Sequence, residues 1–178
     1  MSCPKAKGTF PRHSQCNNVV VRALIAAGTL AKDEPGNLCK QDSKRLDGVI
    51  FTPWREGKNL AWDFTCKDTL ASSYVIKTSK KAGHAASIGE KAKENKYQEL
   101  SEDYIFSPIS VETLGPWGEQ SMELLKDIGS RIAERTGDKR QTSYLFQRLS
   151  IAIQRGNAMS ISSTLPNSKK LDTLFDLS

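Results

Sequence analysis

Two runs, Leu46-Asp47-Gly48-Val49-Ile50-Phe51-Thr52-Pro53-Trp54 and Leu60-Ala61-Trp62-Asp63-Phe64-Thr65-Cys66, decide how this chain folds. Both are rich in the β-branched and aromatic residues that suit a pleated surface. Arg55-Glu56-Gly57 between them reads as a three-residue hairpin loop, with Gly57 in the left-handed position such loops commonly use. That register sets Trp54 against Lys58, Asp47 against Thr65 and Val49 against Asp63. Side chains alternate along a strand. Ile50, Trp54, Leu60, Trp62 and Phe64 therefore share one face, and Asp47, Val49, Phe51, Ala61, Asp63 and Thr65 the other. Both faces carry apolar groups, so the sheet is expected to be covered on both sides.

Working outward, residues 1–13 are basic, contain Pro4, Gly8 and Pro11, and read as a loose arm. Ser14 is a plausible N-cap for a helix over 14–27 that carries Val20, Val21, Leu24 and Ile25 and stops at Gly28. Residues 29–45 have loop chemistry with room for one short strand. On the other side, 68–78 read as a linker. A helix runs from about Ser79 to Leu100, with a small-residue stripe of Ala82, Ala85, Ala86, Gly89 and Ala92 and Lys96 next on that side. Tyr104–Val111 reads as a third strand, and Pro108 makes it either irregular or near an edge. Two more helices follow, one ending at Gly137 and one near Gly156-Asn157. The expected organisation is one α/β domain over 14–165 with extra C-terminal helices, and a flexible tail over 166–178.

The chain has 178 residues, enough for one domain that needs no staples. Lys and Arg outnumber Asp and Glu by 26 to 20, for a net charge of +6, which suits a phosphate backbone as a partner. The four cysteines form no C-x-x-C pair; Cys3, His13, Cys16 and Cys39 could gather round a metal only at irregular spacing. No signal-peptide pattern or membrane-length apolar run is present, so an intracellular setting, cytoplasmic or nuclear, with reduced thiols is expected.

Asp47 and Asp63 are the central candidates. In the expected register they are diagonal neighbours, about 7–8 Å apart at Cα. Two such carboxylates can share Mg²⁺ or Mn²⁺, which keeps waters and takes its remaining ligands from phosphate. The competing reading makes Asp47 a turn residue before Gly48. Asp63 is harder to dismiss, because a carboxylate between Trp62 and Phe64 needs a partner. Lys96 could point its ammonium at developing negative charge or simply lie in solvent. Lys93 and Arg155 are candidates for phosphate contact. His13 could assist the site or touch phosphate, and Gln154-Arg155-Gly156-Asn157 is equally explained as a helix end. No P-loop, G-x-G-x-x-G, H-E-x-x-H or G-x-S-x-G is present.

Six segments together resemble a domain found at the C-terminal end of retrotransposon-type reverse transcriptase polyproteins. They are Arg12-His13 before a helix ending at Ala27-Gly28, Arg45-Leu46-Asp47-Gly48 with Pro53-Trp54, and Trp62-Asp63-Phe64-Thr65. Lys93-Glu94-Asn95-Lys96-Tyr97, Val111-Glu112-Thr113-Leu114-Gly115-Pro116-Trp117-Gly118 and Gln154-Arg155-Gly156-Asn157 complete the set. The resemblance covers roughly residues 10–165. That domain in turn is similar to the restriction-endonuclease-like PD-(D/E)XK fold, a three-layer α/β/α arrangement around a central mixed sheet. It implies the order helix, short strand, hairpin, helix, strand, helices. It also implies Asp47 and Asp63 as the acids holding Mg²⁺ or Mn²⁺, with DNA, or RNA, as substrate and a reverse transcriptase domain as a partner. Leu46 stands where the motif has proline. Thr65 stands where it has lysine, which makes Lys96 the natural substitute and leaves Thr65 to bond a metal-bound water. The expected function is a metal-dependent endonuclease that nicks target DNA; the alternative is a nucleic-acid-binding module of the same fold without turnover.

Overall fold

Strand β3 (Lys58–Lys67) is the spine of the structure, a computed structural model that describes residues 9–35 and 45–164. It pairs antiparallel with β2 (Gly48–Arg55) on one side and parallel with β4 (Tyr104–Glu112) on the other. A short β1 (Ala31–Asp33) joins β2, giving a four-stranded mixed sheet in the order β1-β2-β3-β4. A parallel pair needs a crossover. Here it is made by the single turn α2 (Val75–Thr78), the helix α3 (His84–Lys96) and a 3₁₀ turn over Gln98–Glu102. Helices α1 (Thr9–Ala26), α4 (Glu119–Thr136) and α5 (Gln141–Ser162) complete the domain.

The face sorting read from the hairpin holds. Ile50, Trp54, Leu60, Trp62 and Phe64 form one core with Ile109 and Val111 of β4 and the apolar faces of α1, α4 and α5. Val49 and Ala61 face the other way and pack with Leu46, Tyr97 and Leu100 beneath the α3 crossover. Helices thus cover the sheet on both faces, except that Phe51 is left exposed. The strand at Tyr104 is the fourth rather than the third, and it is an edge strand, which is why Pro108 is tolerated in it.

The hairpin register differs from expectation. The turn has two residues, Glu56 and Gly57, both at positive φ (51° and 72°), and Arg55 pairs with Lys58. Such turns match the twist of the flanking strands better than a longer loop. The ladder then shifts at Pro53, which has no N–H to give, so that Val49 faces Ala61 and Gly48 faces Trp62. Relative to the expected pairing this moves the far end by two residues. An even shift keeps every side chain on its face, but it brings Asp47 directly abreast of Asp63 instead of diagonal to it.

Three boundaries also move. α1 begins at Thr9, so residues 9–13 are helix and not arm, and His13 lies inside the helix rather than ahead of it. α3 begins at His84, with a turn of helix already formed in the stretch expected to be linker. α5 runs on through Gly156-Asn157 to Ser162. Residues 1–8 of the expected arm, Cys3, Cys39 and the tail 166–178 lie outside the described residues. Among the described residues no helix is long and apolar enough to cross a membrane.

Candidate metal centre

β2 begins opposite Trp62, yet β3 continues to Lys67. Past Asp63, β3 keeps β4 on one side and loses its antiparallel neighbour on the other. Main-chain groups facing that gap need partners, and side chains supply them. The Phe64 N–H donates to Asp47 Oδ2 at 2.6 Å, and His13 Nε2 donates to the Phe64 carbonyl at 3.2 Å. The same His13 nitrogen lies 3.0 Å from Asp47 Oδ2, and its ring meets Phe64 edge-on.

α1 is seated on this gap by Asn17, one turn after His13 and on the same helix face. Its amide donates to the Asp47 carbonyl at 2.9 Å and accepts the Trp62 indole N–H at 2.8 Å. Gly48 has to be glycine for this packing, because a Cβ there would lie 1.9 Å from the Trp62 ring. The Asp47-Gly48 pair is thus a strand entry under tertiary control and not a free turn.

Asp63 points toward α3, is 3% exposed, and receives the Lys93 ammonium at 2.5 Å. Burial pushes its carboxyl up to about 6, helped by the hydrogen bond and charge of Asp47 and opposed by Lys93. Burial pushes Asp47 up as well, but hydrogen bonds from His13 and from Asp63, the His13 charge and the Phe64 N–H more than offset this, so Asp47 is held below the usual carboxylate range. The His13 imidazole is raised above its ordinary value by its hydrogen bond to Asp47, against burial. The pair therefore divides into an ionised Asp47 and a strained Asp63, which is the electrostatic condition that a bound cation would relieve.

His13, Asp47 and Asp63 each offer a ligand atom, and these atoms lie within 4.8 Å of one another. Two carboxylates and an imidazole, with the Phe64 carbonyl beside them, are a donor set that suits a divalent cation. The residues present fit the group that the two acids suggested.

Of the other candidates, Lys93 takes the place expected of Lys96. The small-residue stripe misplaced the inward face of α3. Glu90 is buried and accepts the Ser121 N–H and hydroxyl at 2.9 and 2.7 Å, while Ala92 is exposed. The inward face is thereby rotated by roughly half of the 100° step per residue, so Lys93 falls at its centre. Lys96 sits exposed with its ammonium 4.6 Å from the Tyr97 ring. Thr65 is on the Asp63 side of β3, against Gly89 of α3. Arg155 is exposed on α5 and does not reach the acids.

The segment around Arg155 is mid-helix. Asn157 accepts from Arg12 Nη1 at 2.9 Å and donates to the Thr113 carbonyl at 2.6 Å. A Cβ on Gly156 would lie 2.3 Å from Arg12 Cβ, so these residues seat α5 on α1. Cys16 is buried and Cys66 half-buried, and burial pushes their thiols up to about 12 and about 11, so both act as unreactive packing groups in the metal-free protein. His84 takes no part in the acidic cluster. The chain matches no protein-family model and no curated protein.

Proposed function

We propose that this chain is a metal-dependent endonuclease-type domain acting on the phosphodiester backbone of DNA. The observation that carries the reading is the convergence of His13, Asp47 and Asp63 at the open edge of β3, with Lys93 against Asp63. Asp47, Asp63 and His13 would hold Mg²⁺ or Mn²⁺, and such an ion supplies a water of lowered pKa and polarises a phosphoryl oxygen. Lys93 brings a second positive charge, able to stabilise negative charge developing on the phosphate. Thr65, two residues beyond Asp63 on the same side, offers a hydroxyl for orienting a water. His13 and Asn17 hold Asp47 in place.

The order α1-β1-β2-β3-α3-β4-α4-α5 agrees with the order expected of the restriction-endonuclease-like fold, and helices on both sheet faces agree with its three layers. Descent from a retroelement domain, with a reverse transcriptase as working partner, is part of this proposal and rests on the resemblance of the sequence segments alone. A second reading, binding without turnover, is favoured by one observation: His13 and Asp47 already satisfy Phe64, so both have structural employment. Supercoiled plasmid incubated with Mg²⁺, Mn²⁺ or EDTA separates the two. Metal-dependent nicking that is absent in Asp63→Asn supports the nuclease; a salt-sensitive gel shift without nicking supports the binding module.

A further inference from the structure

Helices α1 and α5 contain no Asp or Glu between them, in a chain that has 20. They lie against each other, and an open groove of about 630 Å³ runs between them. Arg22 of α1 and Arg148 and Arg155 of α5 line it. All three are exposed, and among the described residues none has an acidic partner. Unpaired arginines gathered along one groove raise the local anion concentration, and guanidinium groups match phosphate oxygens in pairs. Gln15 and Asn18 add amide donors along the α1 wall, and Val19 and Ile151 give an apolar floor.

The groove lies on the side of α1 turned away from His13: at 100° per residue, Ser14, Gln15, Asn18, Val19 and Arg22 centre roughly opposite it. The Arg12–Asn157 contact sets the C-terminal part of α5 beside the start of α1, so Arg155 lies at the Ser14–Gln15 end. Arg22 is seven residues beyond Gln15, about 10 Å along the helix at 1.5 Å per residue. Arg148 and Ile151 also line a second hollow with Tyr144, so the track continues past Arg22 to a half-buried aromatic ring, one side of which faces the Arg140 guanidinium at 5.4 Å. A narrow basic track ending on an aromatic side chain is how proteins hold a single strand, the cations following the backbone and the ring accepting a base.

We infer that the α1–α5 groove binds a single-stranded nucleic-acid segment, its phosphates on Arg155, Arg148 and Arg22, along the side of α1 turned away from the Asp47–Asp63 centre. The inference goes beyond the nuclease reading by naming a second nucleic-acid contact on the domain, and rests on that reading only for the choice of nucleic acid as the ligand.

The test measures binding of a fluorescent 12-nucleotide thymidine oligomer in EDTA, over a salt series, so that no cleavage is needed. The proteins are the full chain, the triple Arg22→Gln/Arg148→Gln/Arg155→Gln variant, and a charge-matched Lys77→Gln/Lys80→Gln/Lys81→Gln control, each checked for an unchanged thermal transition. Three lost phosphate contacts should weaken binding at least about tenfold. They should also flatten the slope of log affinity against log salt by about 2, at roughly 0.7 per contact for a single strand. The control should keep most of the slope. An unchanged slope in the arginine variant, an equal loss in the lysine control, or a preference for blunt duplex of the same length overturns the inference. Nicking with an unchanged slope would leave the nuclease reading standing and remove the groove. A lost slope in a protein that never nicks would do the reverse.

Discussion

Asp63→Asn should make the metal-free protein more stable at alkaline pH while ending any metal-dependent nicking. The carboxyl of Asp63 is moved from an ordinary 3.8 to about 6, mainly by burial and then by Asp47. A carboxyl so displaced costs about 3 kcal/mol of folding free energy once it ionises, at 1.36 kcal/mol for each tenfold change. The sign follows from the raised value: the penalty is absent below about pH 4, grows between about 4 and 6, and is complete above 6. An amide in its place cannot ionise and can still donate to Asp47. Against this gain stands the loss of the Lys93 contact at 2.5 Å. Lys93 is 23% exposed and can turn to water, so its loss should cost about 1 kcal/mol and not the larger penalty of a fully buried widow. The net expectation is a stabilisation of about 1–2 kcal/mol at pH 8, or roughly 2–8 °C in Tm for a chain of this size. Thermal unfolding in EDTA at pH 8 and pH 4 measures it. The difference should shrink or reverse at pH 4, and Mg²⁺ or Mn²⁺ should raise Tm in the parent but not in the variant. A variant less stable than the parent at pH 8 would show that Asp63 is a settled ion-pair member that awaits no cation.

Lys93→Met should lower any nicking rate by about 10²–10³, the usual loss for one preorganised charge-stabilising donor, whereas Lys96→Met should stay within about twofold; an equal loss in both would return the role to the helix surface as a whole. His13→Ala should weaken Mn²⁺ binding by about 10–100-fold, the loss expected for a residue that ligates or orients a ligand, as read by calorimetry. Because protons compete for Asp63, metal affinity should fall as pH drops below about 6, with proton release on binding; a flat pH dependence from 5 to 8 would contradict the raised carboxyl. Gly156→Ala should destabilise the fold by about 1–3 kcal/mol through overpacking against Arg12, visible in urea unfolding, and an unchanged midpoint would mean that α5 is not seated as described.

Much of the architecture is local pattern. Alternation with period two made the hairpin and its two faces legible, and helical spacing gave α4 with its stop at Gly137. The weak points lay where local pattern and tertiary contact disagree. Ser14 looked like a helix start, but α1 begins at Thr9 and carries His13 to the gap beside β3. Gly156-Asn157 looked like a helix stop, but the glycine admits Arg12 and the asparagine bonds across to it, so the helix continues.

By itself the sequence determined that a two-faced sheet would form and that Asp47 and Asp63 would share one side of it, because side-chain direction along a strand depends only on parity. Parity survived a register error of two residues. What the tertiary structure alone decided was which groups those acids meet. His13 joins Asp47 across 34 residues of sequence, Lys93 joins Asp63 across 30, and Arg12 joins Asn157 across 145. Choosing Lys93 over Lys96 required the rotation of α3 to within half a residue step, and that rotation is set by Glu90 bonding to Ser121 on another helix, a contact that the periodicity of α3 does not contain.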